Sequence, residues 1–254
     1  MANWPAEAIW EAVSPRLPGF TVEVLPAIDS TNTELMRRVR AGATEPTLLV
    51  AEHQTAGRGR LGRGWVSRPG ESLTFSLGLP LAPADWAGLS LAVGVAIAGS
   101  LHPRIALKWP NDLWLHDRKL AGILIETASF ADAPAAARRY AVIGVGVNIL
   151  PRTEPGLATP PAALSELIEG IAAGDALQRI AAPLVAVVQR FEDSGFEPFH
   201  ARFDARDALR GRLVTLSDGT HGIAQGVTAA GALVVQTTQG TREVSSSEVS
   251  VRPG

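Results

Sequence analysis

The sequence predicts an α+β fold, with a mixed sheet and flanking helices followed by a small barrel-like β module. Three observations carry this. Apolar strand-like runs and helix-like runs interleave irregularly over residues 1–208. Near Arg210 the pattern changes to short β-like runs broken by Gly and Asp turns, which sets 209–254 apart as a second unit. The 254 residues are 46% hydrophobic and 19% charged, enough for one large core and a small one beside it.

The elements follow in order. Asn3 to Val13 predicts a short helix and Thr21 to Leu25 a strand. In DSTNTELMRRVRAG, Thr31 and Glu34 stand at capping-box spacing and Gly42 can close the helix. Thr47 to Gln54 and Ser72 to Leu79 are strand-like, and Trp86 to Leu101 reads as a buried helix too short to span a bilayer. Ile105 to Trp109, Lys119 to Glu126 and Tyr140 to Ile149 are further strands, with a turn at Asn111-Asp112 after proline. Leu150 to Pro161 is a Pro/Thr-rich loop. Helices are expected over Ala162 to Gly170, Asp175 to Asp193 and Glu197 to Leu209, and from Leu213 onward Asp218-Gly219 and Gly231 fit hairpin turns.

Composition narrows the chemistry. The absence of cysteine removes disulfides, thiolate metal sites and a cysteine nucleophile, and suits a cytoplasmic protein. Five scattered histidines argue against zinc. The N-terminus has no signal-peptide pattern, and a net charge of −2 lacks the broad positive footprint of a nucleic-acid binder. Positive charge is instead concentrated in TAGRGRLGRGWVSR, where Arg58, Arg60, Arg63 and Arg68 alternate with glycines between two strands. Arginine grips phosphate or carboxylate with a planar fork, and glycine lets backbone N–H groups approach, so the loop describes an anion cradle. A solvated turn or a weak RNA patch is the bland alternative. There are only two lysines, Lys108 and Lys119, and both fall in KWPNDLWLHDRKLAGILIE.

Four polar clusters therefore sit at strand ends or turns: Ser30-Thr31-Asn32, the arginine loop, Lys108/Asn111/Asp112 with Lys119, and Asn148 after GVGV. Short polar groups, several cations and one carboxylate able to hold Mg²⁺ suit phosphoryl or nucleotidyl transfer. Neither a Walker A pattern nor a dinucleotide-binding fingerprint is present.

DSTN, EHQTAGRGRLGRGW, KWPNDL, RKLAGILIE and GVGVNI, in this order, resemble biotin–protein ligases (holocarboxylase synthetases), from about Asp29 to the C-terminus. The resemblance implies a sheet of the class II aminoacyl-tRNA synthetase/biotin ligase type with an SH3-like C-terminal module. It implies two-step chemistry: biotin and Mg-ATP give biotinyl-5′-AMP, and biotin then passes to a lysine of a biotin carboxyl carrier domain of an acyl-CoA carboxylase. It implies that Ser30, Thr31, Asn32, Gln54, Gly57 and Arg58 hold the biotin head and that Gly122 leaves room for its chain. Arg58, Arg60, Arg63, Trp65, Lys108, Asn111, Asp112 and Asn148 would face ATP or the adenylate, with anchoring of the loop the alternative for Trp65 and pairing with a carboxylate the alternative for Lys108. Lys119 would meet both the biotin carboxylate and the α-phosphate. Lys119, Arg58, Arg60 and Asp112 are the catalytic candidates, with Asp112 also the Mg²⁺ candidate.

Three departures qualify this. Leu61 stands where the family often has Arg, which would loosen adenylate retention. Only 28 residues precede Asp29, too few for a winged DNA-binding domain, so no DNA partner is expected. The loop after Asn148 lacks an aromatic residue for adenine. A lipoate-type ligase on the same fold and a non-catalytic biotin or nucleotide sensor are the competing readings. No membrane partner is expected, and a monomer and a homodimer are both compatible with the sequence.

Overall fold

The computed structural model describes residues 4–129, 138–152, 159–245 and 251–253. The first unit runs α1 (Ala6–Val13), β1 (Thr21–Ile28), α2 (Thr31–Arg40), β2 (Thr47–Gln54), β3 (Ser72–Leu81), α3 (Leu89–Leu101), β4 (Ala106–Lys108), β5 (Asp112–Leu115), β6 (Arg118–Ser129), β7 (Arg139–Asn148), α4 (Ala173–Ser194) and α5 (His200–Asp204). The second holds β8 (Leu213–Leu216), β9 (His221–Val227), β10 (Leu233–Thr237), β11 (Gly240–Val244) and β12 (Val251–Pro253).

Seven strands form one mixed sheet in the order β1-β2-β3-β7-β6-β5-β4. Only β1 and β2 run parallel; the other neighbours are antiparallel. The two-residue alternation of a strand divides the apolar residues between two faces. Leu48, Val50, Ala141 and Ile143 join the main core with α1, α3 and α4, whereas Leu49, Tyr140 and Val142 pack under Leu35, Met36 and Val39 of α2. Both faces of β3 and β7 are thus covered; β7 accordingly reads as an unbroken apolar run, whereas β3 alternates its leucines and Phe75 with the buried hydroxyls of Ser72, Thr74 and Ser76.

Several predicted boundaries shift. The N-cap of α2 is Ser30, not Thr31: its Oγ accepts from Thr33 N at 3.4 Å. The helix expected from Trp86 starts at Leu89, after Gly88 adopts φ 79°. The expected start of the first helix, Asn3, lies outside the described residues, and α1 begins at Ala6, after Pro5. Ala162 to Gly170 holds only a 3₁₀ turn, Leu164–Glu166. That stretch is drawn out to pair with β6, with Ala162 N donating to Lys119 O at 2.9 Å. The helix expected to reach Leu209 stops at Asp204, because Arg206 and Ala208 bond to Leu107 of β4 at 2.7 and 2.9 Å. In both places tertiary pairing overrides helix propensity. Of the loop expected over 150–161, residues 153–158 lie outside the described residues.

The C-terminal strands form a separate five-stranded antiparallel sheet, β11-β10-β9-β8-β12. As expected, Asp218-Gly219 turns β8 into β9, with Asp218 Oδ1 accepting from Thr220 N at 3.0 Å, and Gly231 (φ 86°) lies in the turn between β9 and β10. Residues 246–250 lie outside the described residues. The two sheets are tied where Trp109 Nε1 donates to Gly231 O at 3.0 Å, both groups buried. Among the described residues no helix is long and apolar enough to cross a membrane.

Candidate active site

A cleft of about 740 Å³ opens over the middle of the large sheet. It gathers residues from all four polar clusters.

At one end, the turn from β1 into α2 is braced by Asp29, whose Oδ1 accepts from Ser30 N at 2.7 Å while Arg37 grips Oδ2 at 2.7 Å. Ser30, Thr31 and Asn32 are buried at the helix start. Thr31 donates through N and Oγ1 to Gln54 Oε1, at 2.8 and 3.1 Å, so the last residue of β2 is locked to the start of α2. Asn32 spans the sheet: its Nδ2 reaches Leu124 O at 3.2 Å and Glu126 Oε2 at 2.9 Å. Gly144 on β7 makes this possible, because a Cβ there would lie 2.1 Å from Asn32 Oδ1. Ser76 Oγ, fully buried on β3, lies 2.7 Å from Thr31 Oγ1 and 2.6 Å from Asn32 Oδ1.

The arginine loop is a small folded hairpin. Trp65 N donates to Gly57 O at 2.8 Å and Gly59 N to Arg63 O at 2.7 Å, around a 3₁₀ turn at Arg60–Gly62. Leu61 at its tip takes φ 54° and is exposed. Gly57 brings the backbone close to the loop's own return strand: a Cβ would lie 2.3 Å from Trp65 O. The Trp65 indole lies against β7, where a Cβ on Gly146 would come within 2.3 Å of the ring. A Cβ on Gly122 would lie 3.3 Å from Lys119 Nζ and 3.5 Å from the same indole. The indole thus sits between two cations, with Lys119 Nζ 5.9 Å and Arg152 Cζ 5.5 Å from its centroid.

The loop's arginines divide. Arg58 forks onto Glu126, at 3.0 and 3.3 Å, beside Asn32. Arg60 and Arg63 lie instead in the field of Lys108, Lys119 and Asp112. There β4 and β5 place Lys108 opposite Asp112, and Lys119 Nζ meets Asp112 Oδ1 at 2.7 Å. Lys108 rests over the Trp114 ring, 5.2 Å from its centroid, and burial holds its ammonium below the ordinary lysine pKa, with Asp112 opposing and the neighbouring cations adding to the shift. Burial likewise lowers Arg60. One carboxylate among four cations is an arrangement that an anionic ligand completes.

Two candidates make structural bonds. Asn111 Nδ2 donates to Ile123 O at 2.8 Å and closes the β5–β6 junction. Asn148 Nδ2 donates to Lys119 O and Ala162 O, both at 3.0 Å. This staples β7 to the start of β6, while buried Asn148 Oδ1 and Trp65 Nε1 have no hydrogen-bond partner among the described residues. Such atoms on a cleft wall are positions for ligand hydrogen bonds. Asp112 is no metal cage by itself, and no group of three or more His, Cys, Asp or Glu able to hold an ion occurs among the described residues.

Ser76, Glu126 and Arg152 take no role from the sequence alone. Ser76 carries no distinct signal, because Ser72 and Thr74 are further hydroxyls on the same strand. Glu126 ends an apolar run, and Arg152 is one arginine among many.

The chain is similar to known proteins. The biotin/lipoate A/B protein ligase family matches residues 24–148, and the biotin protein ligase C-terminal domain matches residues 211–252. The bifunctional ligase/repressor BirA of Escherichia coli is 36% identical over 233 residues, spanning 87% of this chain and 71% of the relative. The biotin--[acetyl-CoA-carboxylase] ligase of Paracoccus denitrificans is 30% identical over 244 residues, spanning 89% of this chain and 98% of the relative. Among solved structures, biotin protein ligase from Aquifex aeolicus in complex with biotin and ATP has a TM-score of 0.75 at 26% identity, covering 92% of this chain and 99% of that one.

Proposed function

Because this chain belongs to the biotin/lipoate A/B protein ligase family, we propose a division of labour among its cleft residues for the two half-reactions of a biotin–protein ligase. The enzyme activates biotin with ATP and transfers it to protein. In the first step a biotin carboxylate oxygen bonds to the α-phosphorus of ATP, the bond to the β-phosphate bridge breaks, and pyrophosphate leaves. In the second a lysine amine bonds to the acyl carbon of biotinyl-AMP, AMP leaves, and the amine loses a proton.

The buried set Ser30, Thr31, Asn32 and Gln54 offers the donors and acceptors for the biotin head, with Gly122 beneath its chain. Lys119 neutralises the biotin carboxylate and the α-phosphate, which otherwise repel each other. Arg60, Arg63 and Lys108 oppose charge developing on the phosphates. Asp112 holds Lys119 in place, and a role as base toward the incoming lysine requires that 2.7 Å pair to open. Mg²⁺ usually keeps most of its waters and takes one or two carboxylates plus substrate phosphates, a demand that Asp112 fits as a single oxygen donor. The ion would neutralise phosphate charge when bound with the nucleotide. Trp65 and Asn148 line the end of the cleft assigned to the adenylate, each with one buried polar atom unpartnered among the described residues. We assign catalysis to residues 1–208, a supporting role to 209–254, and the acceptor lysine to a biotin carrier domain of a carboxylase in the cytoplasm.

The observation that carries this reading is the convergence of four cations on Asp112 beside a buried polar pocket. The test is ATP–pyrophosphate exchange with Mg²⁺ and biotin, lipoate or no acid. Exchange with biotin alone is expected; exchange only with lipoate, or none in folded protein, rejects the assignment.

A further inference from the structure

We propose that Glu126 is a positioning residue that fastens the arginine loop to the biotin-head end of the cleft, so that Arg58 serves biotin binding and not the phosphates. The inference rests on the ligase reading above. The carboxylate of Glu126 takes both prongs of the Arg58 guanidinium on one side and the Asn32 amide on the other. From Asn32 the chain of bonds continues through Ser76 Oγ to Thr31 Oγ1 and on to Gln54 Oε1. A continuous polar path therefore runs across the sheet from the loop to the predicted biotin head site.

Its members come from α2, β2, the loop and β3, and from β6, which the fold brings in from Glu126, 68 residues beyond Arg58. The path is seated deliberately by small residues. Gly144 leaves the space that Asn32 Oδ1 fills, and Ser76 is the one hydroxyl on β3 within reach of both partners. The Asn32 end is buried, so a change in the Glu126 carboxylate is felt there with little screening. The Arg58 end is half exposed, so its own ion pair contributes mainly geometry: two parallel N–H···O bonds fix the direction of the guanidinium. With its charge already met by Glu126, Arg58 leaves phosphate contact to Arg60 and Arg63.

The test measures ATP–pyrophosphate exchange with biotin varied at saturating ATP, then ATP varied at saturating biotin. Wild type, Glu126→Gln, Glu126→Ala, Arg58→Ala and the Glu126→Gln/Arg58→Ala double variant are compared. Glu126→Gln and Arg58→Ala should each raise the KM for biotin about tenfold, the scale of one lost charge-assisted bond. The KM for ATP should stay within twofold, and the double variant should be no worse than Arg58→Ala alone. Glu126→Ala, which also strips the Asn32 contact, should be worse than Glu126→Gln. A biotin KM within twofold of wild type, an effect falling on the ATP KM instead, or defects that multiply in the double variant would overturn the proposal. So would a fall in melting temperature with an unchanged biotin KM, the mark of a merely structural carboxylate. A wild-type protein that fails to exchange with biotin sinks the ligase reading itself, before any variant is compared.

Discussion

One methyl group separates a working cleft from a blocked one at Gly146. A Cβ there would lie 2.3 Å from the Trp65 ring, far inside van der Waals contact. Gly146→Ala should displace the indole and lower biotin-dependent exchange at least tenfold. Overpacking of this kind costs about 1–3 kcal/mol, so a thermal melt should show a measurable fall in stability beside the loss of rate. Lys108 makes the opposite prediction for stability. Its burial lowers its pKa, so the folded state bears the cost of a desolvated ammonium below that depressed value. As pH rises from there toward the ordinary lysine range, the native amine is already neutral while the unfolded one still binds its proton, and the cost fades. Lys108→Met should therefore melt higher than wild type at neutral pH, lose that advantage under alkaline conditions, and adenylate poorly throughout. Both lysines were legible in the sequence because lysine is otherwise absent. That Asn148 and Asn111 spend amide protons on Lys119 O and Ile123 O was not, since those bonds link residues 29 and 12 positions apart.

Among the elements, the arginine loop shows how far local pattern reaches. Its four arginines and their glycines announced an anion site between two strands. The sequence did not disclose that the hairpin is self-bonded, Gly57 to Trp65 and Gly59 to Arg63, or that Arg58 faces away from its neighbours. Trp65 is the loop's anchor on β7, so Trp65→Ala should release it, and trypsin should then cut at Arg60 and Arg63 about tenfold faster than in wild type. Equal cleavage rates would mean that the backbone bonds alone hold the loop. Long periodic segments such as α4 were read almost to their ends. The alanine-rich stretch after Pro161 and the tail beyond Asp204 were misread as helix, because their backbone groups are claimed by Lys119 and Leu107.

For the whole molecule, the composition shift at Arg210 marked the second sheet, and the order of strands in the first could not be read because β7 inserts between β3 and β6. The seam between the sheets includes the bond from Trp109 Nε1 to Gly231 O. Trp109→Phe should cost about 1 kcal/mol for that bond, plus a packing term, and lower the melting temperature by several degrees. The scarcity of lysine has one more effect. Biotinyl-AMP is an acylating reagent for primary amines, and arginine side chains, protonated throughout the working pH range, do not react with it. The chain's two lysine amines both border the cleft, one against Trp114 and one against Asp112. Activated biotin that drifts out of the cleft meets a surface with no side-chain amine to acylate. Peptide mass spectrometry after incubation with biotin and Mg-ATP alone should find biotin only at Lys108, Lys119 or the α-amino terminus; label on serine, threonine or tyrosine would refute this. Outside the cleft, the exterior of this enzyme offers its own intermediate no amine but the α-amino terminus.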